Sequence, residues 1–464
     1  MTSAQPQTSP LDETAVEAAG RDPLVLLVGS ALAWLLVSGA LALVASIQLH
    51  TPAFMAGCSL LNYGHTRALQ ETAFIYGWVA NVGLGLALWI LGRLGGHPLR
   101  AANWVMVGAV FWNLGVTVGL VGIAVGDATS LPRLEMPGYA QPLLLAAYGA
   151  IAVAGVLAWT DRRRPVLFAA QWYAVASLFL FPWIFSVAQV MLVWVPVHGV
   201  LQAIVEGWFA QSLWTLWMAP LGLAGAYYVI PKVTGRVLPA YDLASLGFWC
   251  LLFIGGWTGG RHLIGGPVPA WISTIAIVTS AILLSHYLIV FLNLRAAYRG
   301  GGAALAFIAF GVTAYVVGGF VDAATAMRVI AVRTQFTFFD EAQQQLAVYG
   351  GVSMMLLGTL YYALPRLTGR PWASARLLSW HLVLSFLGLV LLVVTLAAAG
   401  VVQGGDLNHA QASFATIAAD TRPWLRSASA AQGILLLGNC LLAVNFARTV
   451  GCGRIRVVKE ALTS

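Results

Sequence analysis

The chain has 464 residues, 60% of them hydrophobic and 9% charged, with a formal net charge of +8. Water-soluble domains carry roughly 25% charged residues, so this composition excludes a soluble enzyme or binding domain and makes the lipid bilayer the main solvent. The basic residues are scattered between apolar runs and form no continuous stripe, which excludes a nucleic-acid surface.

Residues 1-22 are polar, carry Asp12, Glu13 and Glu17, and lack the basic start of a signal peptide. They read as a flexible N-terminal tail. A membrane-spanning helix takes about 20 mostly apolar residues, and twelve such runs follow at about 24-48, 69-94, 102-126, 140-160, 166-191, 201-230, 243-262, 268-295, 303-326, 341-364, 377-402 and 428-448. The expected fold is an all-α integral membrane bundle of twelve helices over residues 23-450, multi-pass in a bacterial inner (cytoplasmic) membrane, with 451-464 as a basic tail. Sixteen of the 24 Lys and Arg lie in the loops after even-numbered helices or near the C-terminus, among them Arg93, Arg162, Lys232, Arg366 and Lys459. Cytoplasmic loops collect such residues, so both termini are expected in the cytoplasm.

Several segments stand out in this order. Helix two opens on Tyr63-Gly64-His65-Thr66-Arg67-Ala68-Leu69-Gln70, with Asn81 eleven residues on. Helix six carries Phe209-Ala210-Gln211-Ser212 and ends in Tyr227-Tyr228-Val229-Ile230-Pro231-Lys232-Val233-Thr234-Gly235-Arg236. Helix seven runs Phe248-Trp249-Cys250-Leu251-Leu252-Phe253-Ile254-Gly255-Gly256-Trp257-Thr258-Gly259-Gly260-Arg261-His262-Leu263. Helix ten carries Gln343 and Gln345 and ends in Tyr361-Tyr362-Ala363-Leu364-Pro365-Arg366-Leu367-Thr368-Gly369-Arg370. The matched endings of helices six and ten indicate an internal repeat, with a proline expected to stop each helix.

On these segments the chain resembles subunit I of the haem-copper oxidase superfamily, especially its C-type cytochrome c oxidases and nitric oxide reductases, over most of the membrane region. The resemblance implies a twelve-helix bundle from a respiratory or redox complex, in which six histidines hold two haems and a copper. Carried over residue by residue, the low-spin haem ligands fall on Gln70 and Gln345, the high-spin haem ligand on Gln343, and the copper ligands on Gln211, Arg261 and His262. Only His262 keeps the family's histidine.

A carboxamide is a weak neutral donor for haem iron or copper, and a guanidinium has no lone pair to give. The four cysteines (Cys58, Cys250, Cys440, Cys452) form no C-x-x-C pair and offer no alternative centre. The chain is therefore expected to hold no metal, no haem and no copper, its glutamines cross-linking helices at roughly 0.6–2 kcal/mol per hydrogen bond. Trp78, Trp112, Trp172, Trp183 and Trp249 are candidates to fill the vacated space. His286 and His381 are expected to hydrogen-bond neighbouring helices, and His65 to sit at the interface. Ionisable groups buried in a membrane are costly and point to function. Here they are Glu206, Asp322, Arg261 and Glu341, read either as an acid-base cluster or as locally paired interfacial charges.

Three functions follow. The first is a non-catalytic membrane platform for a redox or metabolic protein partner, or a contact for a quinone or cytochrome c. The second is an active oxygen or nitric oxide reductase holding haem b and copper through relocated or fewer ligands. The third is a transporter or proton channel that reuses the cofactor space. The replaced ligands favour the first.

Overall fold

A backbone in hydrocarbon must satisfy every N–H and C=O internally, which a helix does within one segment. The computed structural model describes residues 10–163 and 165–463, with side chains from Glu17 to Gly451 except at 19 and 164. It contains twelve helices long and apolar enough to cross a membrane. They are α1 (Gly20–His50), α2 (Tyr63–Gly95), α3 (Ala102–Ala124), α4 (Gln141–Thr160), α5 (Ala169–Trp194), α6 (Val200–Thr234), α7 (Tyr241–Leu263), α8 (Ala270–Arg299), α9 (Ala303–Thr325), α10 (Phe338–Thr368), α11 (Ala375–Leu407) and α12 (Phe414–Gly451). No strand occurs among the described residues.

Burial separates the twelve into a centre and a surround. The apolar stretches of α2 and α6 are fully buried and that of α10 is 83% buried, whereas no other helix exceeds 50%. The three central helices carry all the glutamine positions singled out above. Each departs from α-geometry close to its glutamines, with π-helical turns at Ala73–Val79, Leu213–Met218 and Gln345–Ser353. A π-turn inserts one extra residue and rotates the side chains beyond it, and such turns gather at functional sites.

The repeat at the ends of helices six and ten extends to α2. Trp89, Tyr228 and Tyr362 meet ring to ring, with centroids 5.2, 6.2 and 6.2 Å apart. Four residues after each ring stands a basic residue (Arg93, Lys232, Arg366), and three further on a glycine (Gly96, Gly235, Gly369) at φ +66°, +64° and +68°. The helices run past Pro231 and Pro365 to Thr234 and Thr368. The stop is therefore the left-handed glycine, which meets no Cβ penalty there, rather than the proline.

Twelve spans place both ends of the described chain on one face of the bundle, the face that carries these basic residues. The opposite face is called the far end below. α1 belongs to a helix that begins at Pro10, so the stretch expected as a tail is helical from there, and residues 1–9 lie outside the described residues. Arg93 pairs with Glu17 at 3.1 Å, and Arg21 Nε donates to the Leu367 carbonyl at 2.9 Å, which ties this start to α2 and α10. α12 starts fourteen residues before the apolar run does, because Asp420, Arg422 and Arg426 mask the helix from a hydropathy reading. Its backbone stays helical to Thr463, through the stretch expected as a basic tail.

Glycine contacts set how closely helices approach. At Gly259 on α7 an added Cβ would overlap the Gly207 carbonyl of α6. Gly259→Ala is expected to destabilise by about 1–2 kcal/mol, the overpacking cost less the gain from replacing a helical glycine. The loss should be read as a lower unfolding midpoint in detergent.

Candidate functional site

Every position singled out for a cofactor ligand except Gln211 lies within the first or last turns of its helix at the far end. Two hydrogen-bonded clusters form there. In the first, Arg261 on α7 makes an ion pair with Asp322 on α9, and its Nη1 also donates to the Asp322 carbonyl at 3.2 Å. Gln343 on α10 donates from Nε2 to Asp322 Oδ1 at 2.6 Å and accepts from Thr325 Oγ1 at 3.2 Å. One carboxylate thus joins Arg261 and Gln343, the positions that the resemblance assigns to a copper ligand and the high-spin haem ligand, across three helices. The pair is well shielded, with side chains 10% and 13% exposed.

His262 stands exposed at the end of α7. Its Nε2 accepts from Arg261 Nε at 3.3 Å, and its carbonyl accepts from Gln335 Nε2 at 2.6 Å. The lone pair a metal would need is turned to a guanidinium. Gln211 is buried in α6, and its Nε2 has no hydrogen-bond partner among the described residues.

The second cluster joins α2 to α10. Arg67 grips Glu341 with two hydrogen bonds of 3.2 and 2.8 Å and also donates to Gln70 Oε1 at 3.1 Å. Gln345 Nε2 donates to the same Glu341 at 2.9 Å, and Gln344 Nε2 donates to Glu71 at 2.9 Å. Gln70 and Gln345, the positions that the resemblance assigns to the low-spin haem, therefore both hydrogen-bond to one ion pair. One turn deeper, Phe74 and Tyr349 stack with centroids 5.7 Å apart, so α2 and α10 touch directly through their rings. A cavity of about 50 Å³ remains beside Arg67, Gln70, Glu71 and Gln345.

Donor chemistry tests whether these residues fit the family's cofactors. Haem iron takes imidazole, thiolate, thioether or phenolate, and copper favours imidazole. The positions hold four carboxamides, a guanidinium and one histidine already hydrogen-bonded to that guanidinium. They do not fit two haems and a copper. Among the described residues no group of three His, Cys, Asp or Glu side chains is arranged to hold a metal ion.

The four ionisable residues marked in the sequence do not form one cluster. Asp322 and Arg261 pair with each other, Glu341 pairs with Arg67, and Glu206 accepts from Gln202 Nε2 at 3.0 Å on its own helix. Arg67, Glu71, Arg133 and Glu135 were missed. Arg67 and Glu71 flank Gln70 at helical spacing, a signal available in the sequence, whereas Glu135 sits in a loop whose inward fold no local pattern announces.

Two of the other histidines, His286 and His381, act as helix cross-links, whereas His65 bonds locally. His286 bonds the Gly247 carbonyl at 2.7 Å and the Tyr315 hydroxyl at 2.9 Å, His381 bonds the Tyr361 hydroxyl at 2.8 Å, and His65 meets Asn62 at the start of α2. Trp78 and Trp112 are fully buried, with Trp78 donating to Ser353 of α10 at 2.9 Å. Trp183 and Trp249 instead lie half exposed on the outside of the bundle and fill no interior space. The interior role falls partly to Trp214, whose ring lies 6.0 Å from that of Tyr315 and against Gly351, closing together α6, α9 and α10.

Comparison with known proteins follows the same lines. The family described as Cytochrome C and Quinol oxidase polypeptide I matches residues 22–434. Cytochrome c oxidase subunit 1 of Rhodobacter capsulatus is 24% identical over 446 residues, covering 90% of this chain and 83% of that protein. The Cbb3-type cytochrome c oxidase subunit CcoN1 of Stutzerimonas stutzeri is 21% identical over 439 residues, covering 90% and 92%. A cryo-EM structure of a haem-copper terminal oxidase dimer superposes with a TM-score of 0.66 at 13% identity, over 95% of this chain and 84% of that one.

Proposed function

The chain belongs to the cytochrome c and quinol oxidase polypeptide I family, and we propose that within it this protein is a non-catalytic membrane subunit that holds neither haem nor copper and serves as a platform for a partner. The observation that carries this reading is the Arg261–Asp322–Gln343 bridge. A fixed positive charge at a copper position repels a metal cation, and the carboxylate that neutralises it also engages the high-spin haem position. The Arg67–Glu341 pair supports the same reading at the low-spin haem positions.

The lost cofactors leave helix gaps that charge-assisted hydrogen bonds now bridge, so the bundle stands without them. What such a bundle retains is a twelve-helix surface in the membrane, suited to anchor a redox or metabolic protein or to meet a quinone or cytochrome c. Its place is a bacterial inner membrane with both termini in the cytoplasm, supported by the excess of Lys and Arg on the face that carries the chain ends. Affinity purification in mild detergent is expected to bring down a second protein in a fixed ratio. Recovery of this chain alone, under conditions that keep its membrane complexes intact, would contradict the platform role.

A second reading, an oxygen or nitric oxide reductase with relocated ligands, draws on family membership and predicts stoichiometric haem. A third, a transporter or proton channel, predicts flux in reconstituted vesicles that Arg261→Ala alters; unchanged flux in that variant counts against it.

A further inference from the structure

We infer that Glu135, in the loop between α3 and α4, is a binding site for one exchangeable proton at the far end of the bundle. This inference is independent of the platform role and of any cofactor. The loop folds inward, so that Leu134 and Met136 are fully buried and Glu135 is only 9% exposed. Tyr76 of α2 pins it by donating to the Arg133 carbonyl at 2.6 Å. Glu135 Oε1 accepts the Arg133 backbone N–H at 2.9 Å, whereas the buried Oε2 has no hydrogen-bond partner among the described residues.

The surrounding charges leave this carboxyl uncompensated. The charged groups that act on it are Glu71 of α2, which disfavours its ionisation, and Arg133 of the loop itself, which favours it. Arg67 is committed to Glu341, and Arg133 Nε lies 3.4 Å from Glu71, which Arg67 also approaches at 3.9 Å. The Arg133 guanidinium is thus engaged by Glu71. An ionised Glu135 would be a buried anion with one oxygen unsatisfied, a costly arrangement, and a bound proton removes both the charge and the missing donor. The cavity of about 50 Å³ lies next to Arg133 and Glu71, the two residues that act on this carboxyl.

Burial, and after it the Glu71 carboxylate, push the Glu135 carboxyl up to about 8. A carboxyl raised in the folded protein favours folding at pH below its ordinary range, and that contribution is lost as pH climbs from the ordinary range through about 8.

The test is pH-difference infrared spectroscopy of the full chain in detergent, following the carbonyl stretch of a protonated carboxylic acid. The expected result is one such band at neutral pH that titrates near pH 8, vanishes in Glu135→Gln, and moves down by at least about one pH unit in Glu71→Gln. Glu135→Gln is also expected to raise the unfolding midpoint most at alkaline pH, with the gain shrinking as pH falls toward the ordinary carboxyl range. No band at neutral pH, a band that survives in Glu135→Gln, or a pH-independent effect of Glu135→Gln on unfolding would each overturn the assignment.

Discussion

Arg261→Ala is expected to destabilise the protein by about 3–5 kcal/mol, the cost of leaving one partner of a buried ion pair without the other. The removed guanidinium strands the Asp322 carboxylate between α7, α9 and α10 with only the Gln343 amide to satisfy it. The companion double variant, Arg261→Met with Asp322→Leu, is expected to lie between neutral and about 4 kcal/mol more stable, because both desolvation costs vanish together. Reversible unfolding in mixed micelles measures both. A small effect of Arg261→Ala would mean that the pair is hydrated and does not close the copper position.

Glu341→Ala is expected to cost about 2–3 kcal/mol. The pair with Arg67 is about a quarter exposed on each side, so its cost sits below that of a fully buried pair. The variant nevertheless removes three hydrogen bonds, two from Arg67 and one from Gln345, and leaves Arg67 with Glu71 and the Gln70 amide oxygen. A double-mutant cycle with Arg67→Met separates the shared interaction from independent losses. Coupling near zero would show that α2 and α10 are held by the Phe74–Tyr349 stack and the Trp78–Ser353 hydrogen bond instead.

The two clusters show how much of this protein is legible in its sequence. Helix number follows from apolar run length, since the bilayer imposes one length on every span. The starts of α2 and α12 do not, because helices continue into water through polar turns such as Asp420–Arg426 that carry no hydropathy signal. The ending shared by α6 and α10 could be read directly, but its terminator could not be told from the neighbouring proline without the backbone angle of Gly235 and Gly369. That α2 belongs to the same set was hidden because Trp89 and Arg93 share chemistry, not identity, with Tyr228 and Lys232.

The candidate site divides in the same way. The glutamines at 70, 211, 343 and 345 and Arg261 stood out because they interrupt runs that a resemblance fills with histidines. Their partners did not. Asp322 and Glu341 are both on view as buried charges, yet which cation each takes depends on how α7, α9, α10 and α2 pack, and no spacing within one helix encodes that. Glu206 is likewise on view as a charge within an apolar run and bonds a neighbour on its own helix. Glu135 was invisible because a loop glutamate normally faces water, and only the burial of Leu134 and Met136 on either side draws it in.

These interactions give one physical account of the chain. On the proposed reading, the positions that the resemblance gives to ligand histidines hold groups that bond to protein partners rather than to a metal, as Arg261, Gln343, Gln70 and Gln345 do. The measurement that tests this most directly is a visible spectrum with a pyridine haemochrome assay and copper analysis on the protein purified in mild detergent. The account predicts no Soret band and neither haem nor copper above background. Stoichiometric haem would contradict it and show that these positions, or others, still ligate iron.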